Sequence, residues 1–195
     1  MSADARYLWL YCFFPPSDGK TLAVADLEKG TVNEFRETQF TGESPYVTPE
    51  TGEVYWGCGP AVYHRGPDPD SSIEMINRIP EEIIAGRRMA RIATHLTRSA
   101  DGKEFFVDAA IGMESVFGSL PLDGSDYRFW YRFNFSHNHA QFSPTDPDMV
   151  LFAMEHHRDQ HPVCGRRQQA VLSGMSQHGE LPQQEYRQVG SNSIT

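Results

Sequence analysis

Long hydrophobic runs and paired cysteines are missing from this 195-residue sequence. No apolar stretch approaches the roughly 20 residues that a membrane-spanning helix needs, and residues 1–6 lack the apolar core of a signal peptide. The three cysteines, Cys12, Cys58 and Cys164, are far apart and odd in number. Such spacing indicates reduced thiols and not a disulfide framework. We therefore expect a cytoplasmic protein with no membrane partner.

Basic residues are also scarce. The chain has 17 Lys and Arg against 26 Asp and Glu, a formal net charge of −9. This balance argues against nucleic acid as the main partner, because phosphate contacts need a basic surface. It argues mildly against any anionic substrate, unless a local basic patch overrides the average. Hydrophobic residues make up 39% and aromatics 12%, which is enough for a real core.

Four related turn segments recur along the chain, near residues 5, 52, 102 and 147. The sequence SADARYL of residues 2–8 is nearly restated as SADGKEF in residues 99–105, and residues 49–55 and 143–149 are weaker copies. The period of about 45–50 residues is what a four-stranded propeller blade needs. The sequence therefore predicts an all-β fold, a partial β-propeller with about four blade motifs.

Alternating strand-like segments follow each turn, and a second turn type, DLEKG at 26–30 and LDG at 122–124, separates further strands. The segment PEEII at 80–84 predicts either a short helix between blades or an edge strand, since proline and glutamate suit a first helical turn.

The C-terminal segment differs in kind from the rest. From residue 159 the alternation stops and glutamine dominates. We predict a propeller part at 1–158 and a poorly ordered or aberrant tail at 159–195. A natural tail and a frame-shifted or truncated end both fit this pattern.

Histidines are the main candidates for chemistry. His137 and His139 lie at i and i+2, which puts both on one side of an extended strand, as two metal ligands or as a hydrogen-bonding wall facing a ligand. His95 precedes the SADG turn, so the repeat puts all three on innermost strands, beside the central channel. The alternative is a polar strand face with satisfied histidines. His156 and His157 face opposite ways, so at most one of them joins a site with His139.

One basic cluster stands out, formed by Arg87, Arg88, Arg91 and Arg98. It is either a solvated face or a clamp on carboxylates, for which guanidinium groups are suited.

The segment HAQFSPTDPD at 139–148, followed by strand 149–152 and by Glu155 and His156, resembles the fourth-blade region of oligogalacturonate lyases. Residues 94–103 and the DLEKG turn are also similar to that family, and the likeness covers residues 2–158. The resemblance implies a seven-bladed propeller of the TolB/WD40-like type that splits short pectin fragments by β-elimination. It implies a divalent metal, usually manganese, an arginine base, and substrate contact by His139.

Two departures from the family affect the expected activity. Residues 112–116, where the resemblance puts the arginine base, contain no arginine, and the family's metal ligands lie in later blades, outside this chain. We therefore expect a fragment with impaired or no lyase activity that binds a small acidic oligosaccharide through His139, with His95 and His137 as further candidates. The alternatives are a non-catalytic carbohydrate-binding or protein-interaction propeller. Open blade edges favour self-association.

Overall fold

The computed structural model describes residues 1–13, 19–38, 44–134, 136–147, 149–155, 168–173 and 187–188. Sixteen strands and one short helix lie within these residues. The strands are β1 (Tyr7–Phe13), β2 (Lys20–Asp26), β3 (Thr31–Phe35), β4 (Tyr46–Val47), β5 (Val54–Cys58), β6 (Ala61–Arg65), β7 (Glu74–Arg78), β8 (Met89–Arg91), β9 (Thr97–Arg98), β10 (Glu104–Ile111), β11 (Glu114–Pro121), β12 (Arg128–Phe133), β13 (Ser136–Phe142), β14 (Met149–Glu155), β15 (Gln168–Ser173) and β16 (Arg187–Gln188). The helix α1 (Glu81–Ile84) lies between β7 and β8.

These strands form four antiparallel sheets in chain order, which is the arrangement of a partial β-propeller. The first sheet has the order β1-β2-β3, and the second has the order β4-β5-β6-β7. In the third sheet β8 and β9 both pair with β10, followed by β11 and β12, and the fourth has the order β13-β14-β15-β16. The predicted all-β propeller fold is confirmed.

Two of the four repeated turns, at residues 2–8 and 99–105, are built by the same hydrogen bonds. Ser99 Oγ donates to Asp101 Oδ1 over 2.7 Å and accepts the backbone N–H of Glu104 over 3.2 Å. Ser2 Oγ donates to Asp4 Oδ1 over 2.6 Å and accepts the backbone N–H of the residue five positions on over 2.9 Å. By this correspondence β1 matches β10, so the first sheet comprises the three outer strands of a blade.

Each sheet packs face to face on the next through its own apolar cluster. Trp9 and Phe35 meet Trp56 between the first two sheets. The second and third sheets share a cluster that includes Val62 and Phe105. Aromatic rings fill the space between the third and fourth sheets, formed by Phe106, Phe117, Phe133, Phe142 and Phe152. Face-to-face stacking of successive sheets is how propeller blades bury their apolar surface.

The structure also bears on the predicted helix, the cysteines and the C-terminal segment. The segment at 80–84 takes the helical alternative as α1, with Ala85 in the left-handed conformation at its C-cap. Cys12 and Cys58 are free thiols, and Cys164 lies outside the described residues. Two parts of the 159–195 tail, β15 and β16, pair in the fourth sheet, and the rest of that tail lies outside the described residues. No described helix is long and apolar enough to cross a membrane.

Candidate functional site

The first strands of the second, third and fourth sheets lie side by side, and we call the edge that they form the inner rim. Ser44, two residues before β4, makes an isolated parallel bridge with His95, which lies between β8 and β9. The backbone N–H of Leu96 donates to Ser44 O, and Ser44 N–H donates to Thr94 O, each over 3.3 Å. The Phe142 N–H donates to Thr97 Oγ1 over 3.0 Å and joins the third sheet to β13.

A bulge in β13 decides where its two histidines point. The register between β13 and β14 shifts between Asn138 and Gln141, and His139 has the left-handed φ of 51°. A bulge adds one residue to a strand and re-aims the side chain that it carries. His139 is therefore exposed whereas His137 is buried. The expectation that these histidines share one side is wrong, because alternation holds only in a regular strand.

His137 lies in the aromatic cluster between the third and fourth sheets. Its side chain is only 3% exposed, and its ring centroid lies 4.0 Å from that of Phe133 and 5.3 Å from that of Phe152. Its backbone N–H donates to Ser115 Oγ over 3.0 Å, and its carbonyl accepts Arg91 Nη2 over 3.2 Å. This environment is that of a residue which holds two sheets together, away from the exposed rim.

His95 and His139 meet at the inner rim although 44 residues separate them in the chain. His95 Nε2 lies 3.1 Å from His139 Nδ1, and the two rings are stacked with centroids 5.3 Å apart. The other nitrogen of the His95 ring, Nδ1, lies 3.0 Å from Ser44 Oγ. Ser44 before β4, His95 between β8 and β9, and His139 in β13 thus form one hydrogen-bonded chain.

The electrostatic environment of His95 favours its neutral imidazole. Burial lowers the pKa of His95 below its ordinary value, and the nearby positive charges of His139 and Arg91 lower it further. A carboxylate ligand at the rim would act in the opposite direction, because an adjacent negative charge stabilises imidazolium.

Asp108 of β10 lies directly behind the pair. It is fully buried, and burial raises the pKa of its carboxyl to about 6, although hydrogen bonds from Thr94 and the charge of Arg91 oppose this rise. Its carboxyl accepts the N–H of Thr94 over 2.5 Å, the Oγ1–H of Thr94 over 2.8 Å and the N–H of Ala140 over 3.4 Å. Asp108 is not among the residues predicted from the sequence, although a carboxylate in the middle of the apolar run of β10 is a signal that could have identified it.

Three of the four arginines predicted as a cluster make separate contacts. Arg87 forms an ion pair with Glu114, and its Nη2 donates to Ile83 O over 2.8 Å. Arg98 Nε donates to Gly102 O over 2.8 Å within the SADG turn. Arg91 acts at the rim, where its charge reaches His95 and Asp108.

A cavity of about 790 Å³ opens at the end of the first strands, where they enter the repeated turns. Its wall combines aromatic rings of Tyr46, Tyr55 and Phe142 with the acidic side chains of Glu53 and Asp101. Thr97 lines it as well, two residues after His95, so the cavity and the inner rim share strand β9.

The described residues do not fit the metal ion that the resemblance implies. Among them, no group of three or more His, Cys, Asp and Glu side chains could hold a metal. His95 and His139 supply two nitrogens, and the third neighbour, Ser44, is not an acid, a thiol or an imidazole.

Comparison with known proteins gives a fold and no family. No protein-family model matches the chain, and no curated protein sequence matches it. Among solved structures, an oligogalacturonate lyase in complex with manganese is similar with a TM-score of 0.65 and 12% identity, over 98% of this chain and 51% of that chain. An oligogalacturonate lyase from Vibrio parahaemolyticus has a TM-score of 0.65 and 10% identity, over 98% of this chain and 51% of its own.

TolB from Acinetobacter baumannii is also similar, with a TM-score of 0.53 and 15% identity, over 88% of this chain and 39% of that chain. The chain thus spans about half or less of the length of these structures. Identities this low establish the propeller fold alone, and what the chain binds or does rests on its own residues.

Proposed function

We propose that this chain is an oligogalacturonate lyase-like propeller segment that binds short galacturonate oligosaccharides at the inner rim through His95 and His139. The observation that carries the proposal is the approach of these imidazoles to 3.1 Å from two successive sheets. His139 is exposed, so its ring lies within reach of a ligand, and half-buried His95, whose two ring nitrogens contact Ser44 and His139, fixes that ring from behind.

The chemistry of the pair suits a uronate sugar. An imidazole N–H donates to a hydroxyl or carboxylate oxygen, and a protonated imidazole does so with charge assistance. Because the chain carries a net charge of −9, an anionic ligand needs a local positive field. Arg91, the guanidinium whose charge lowers the pKa of His95, supplies such a field at the rim.

Cleavage by β-elimination is the second candidate, supported by the resemblance of segment 139–148 to oligogalacturonate lyases. Residues 112–116 carry no arginine where the resemblance puts the base, so we propose binding without turnover by this chain alone. Formation of the unsaturated product, followed by its ultraviolet absorbance with and without added Mn²⁺, tests this point. Turnover would overturn the non-catalytic proposal and favour the lyase reaction.

Calorimetric titration with trigalacturonate tests binding itself. The His139→Asn variant removes the imidazole and suits the left-handed backbone at this position, whereas alanine would add strain. We expect His139→Asn and His95→Gln each to weaken binding about 5- to 30-fold, which corresponds to a lost polar contact of about 1–2 kcal/mol. Binding should be stronger at pH 5.5 than at pH 7.5, because protonation of imidazole favours the anionic ligand.

His64→Asn is the matched control. His64 is a half-buried histidine of β6 that lies 3.4 Å from Glu74 and stacks on Tyr55, away from the rim. Its replacement should leave trigalacturonate binding unchanged. No binding by the unaltered chain, or equal weakening by all three variants, would overturn the proposal.

A further inference from the structure

Asp108 has a position that neither the repeat nor the resemblance accounts for. It lies in the middle of β10, between residues that are buried on both sides, and it is itself fully buried. Burial of a carboxylate destabilises the folded state unless its oxygens accept hydrogen bonds from nearby donors.

The groups that donate hydrogen bonds to the Asp108 carboxylate belong to residues adjacent in sequence to His95 and to His139. Thr94 directly precedes His95, and it donates both its backbone N–H and its hydroxyl to Asp108, over 2.5 and 2.8 Å. Ala140 directly follows His139, and its backbone N–H lies 3.4 Å from Asp108 Oδ2. A single side chain thus contacts the immediate neighbours of both histidines, which belong to different sheets.

The chemistry of the contacts selects an aspartate. All three partners are donors, so the side chain between them must present two acceptor oxygens. A carboxylate does so, whereas an asparagine of the same shape presents one oxygen and an NH₂ group that faces another donor. The bulge at His139 leaves the Ala140 N–H out of the regular ladder, and the Asp108 oxygen is its acceptor.

We infer that Asp108 is a positioning residue that holds His95 and His139 at hydrogen-bonding distance by fixing Thr94 on the third sheet and Ala140 on the fourth. The claim that the pair binds a ligand rests on the proposed function. The claim that Asp108 sets the distance between the two rings does not rest on it, so each claim has its own test.

The first test follows the imidazoles of the full chain by NMR titration in Asp108→Asn. If Asp108 positions the pair, His95 loses its close contact with His139 in this variant. The titration midpoint of His95 then rises toward the ordinary value of about 6.5. Loss of the negative charge alone would move the midpoint the other way, since a nearby carboxylate favours imidazolium. The direction of the change therefore separates positioning from simple charge removal.

Thr94→Val is the second variant, because it removes only the hydroxyl donor and leaves the charge of Asp108 in place. It should move the His95 midpoint in the same direction by a smaller amount, and it remains informative if Asp108→Asn does not fold. Asp26→Asn is the matched control. Asp26 is a buried carboxylate of β2, 4% exposed, which also accepts backbone N–H groups, but it lies in the first sheet.

The second test is trigalacturonate affinity, which should fall about tenfold in Asp108→Asn and stay unchanged in Asp26→Asn. A folded Asp108→Asn whose His95 midpoint is unchanged or falls would overturn the inference, whatever the affinity. Failure of the unaltered chain to bind trigalacturonate would overturn the proposed function, while the NMR result would still decide the role of Asp108.

Discussion

At the scale of single residues, protonation equilibria link the rim to stability. The pKa of Asp108 is raised from 3.8 to about 6, because burial penalises its charged form more than its donors and Arg91 favour it. A carboxyl whose pKa is raised by folding stabilises the folded state fully when the pH is below its pKa in the unfolded chain. This stabilisation is lost as the pH rises through its pKa in the folded chain. Arg91 is the charged group that acts on it, and the rim histidines lie next to its hydrogen-bond partners.

We therefore predict that the Asp108 contribution to the free energy of unfolding falls between pH about 4 and pH about 6, by about 3 kcal/mol at most. Urea unfolding of the unaltered chain and Asp108→Asn at several pH values measures it. The difference between the two chains should change across this interval and stay constant above pH 7. A difference that is the same at every pH would contradict the prediction.

At the scale of elements, the repeated turn is a self-contained unit. Ser99 is 5% exposed, and its Oγ joins Asp101 to the backbone N–H groups of Lys103 and Glu104. The hydrogen bond from Ser99, followed by that from Lys103, lowers the pKa of Asp101 to about 2. Gly102 has a φ of 75°, which a side chain rarely adopts. Such contacts lie within six residues, so the turn forms wherever this sequence recurs.

Ser99→Ala should destabilise the chain by about 1–2 kcal/mol, because two backbone donors and one carboxylate lose their partner. A carboxyl whose pKa is lowered by folding stabilises the folded state when the pH is above its pKa in the unfolded chain, and this stabilisation is lost as the pH falls through its folded-state pKa. The loss of unfolding free energy in Ser99→Ala should therefore be largest above pH 4 and decrease toward pH 2. Ser2→Ala should behave alike, whereas Ser72→Ala, which removes one exposed hydrogen bond to Glu74, should cost little. Equal costs for all three in urea unfolding would contradict this account.

At the scale of the whole molecule, the first sheet has an open face. Trp9 and Val24 point toward the second sheet, so alternation puts Leu8, Leu10 and Val32 on the opposite face. Leu10 is 42% and Val32 is 60% exposed. The three interfaces between successive sheets are apolar clusters, and this face has the same character. Because the sheets of this chain bury such faces against one another, we propose that a second copy covers this one.

This proposal predicts a concentration-dependent mass in light scattering, which Leu10→Glu combined with Val32→Glu should reduce to that of one chain. Leu27→Glu is the control, because Leu27 is 54% exposed but lies in the turn between β2 and β3. A single-chain mass for the unaltered protein at all concentrations would rule out association through this face.

The sequence by itself determined the features that depend on near neighbours. The turns at 2–8 and 99–105 and the strands after them follow from serine and aspartate at a repeated spacing, because their hydrogen bonds close within a few residues. It also singled out His95 and His139 as candidates, although His95 lies between β8 and β9 and not within a strand. Their use for a ligand stays a prediction.

Only the tertiary structure decided which histidines meet and what holds them. The bulge that sends His139 outward and His137 inward depends on pairing with β14 and on the Ala140 N–H reaching Asp108, 32 residues away. The contact of His95 with His139 spans 44 residues, and that with Ser44 spans 51. Such distances have no periodic signature in a sequence, because they arise when separate sheets pack and bring one edge of each together.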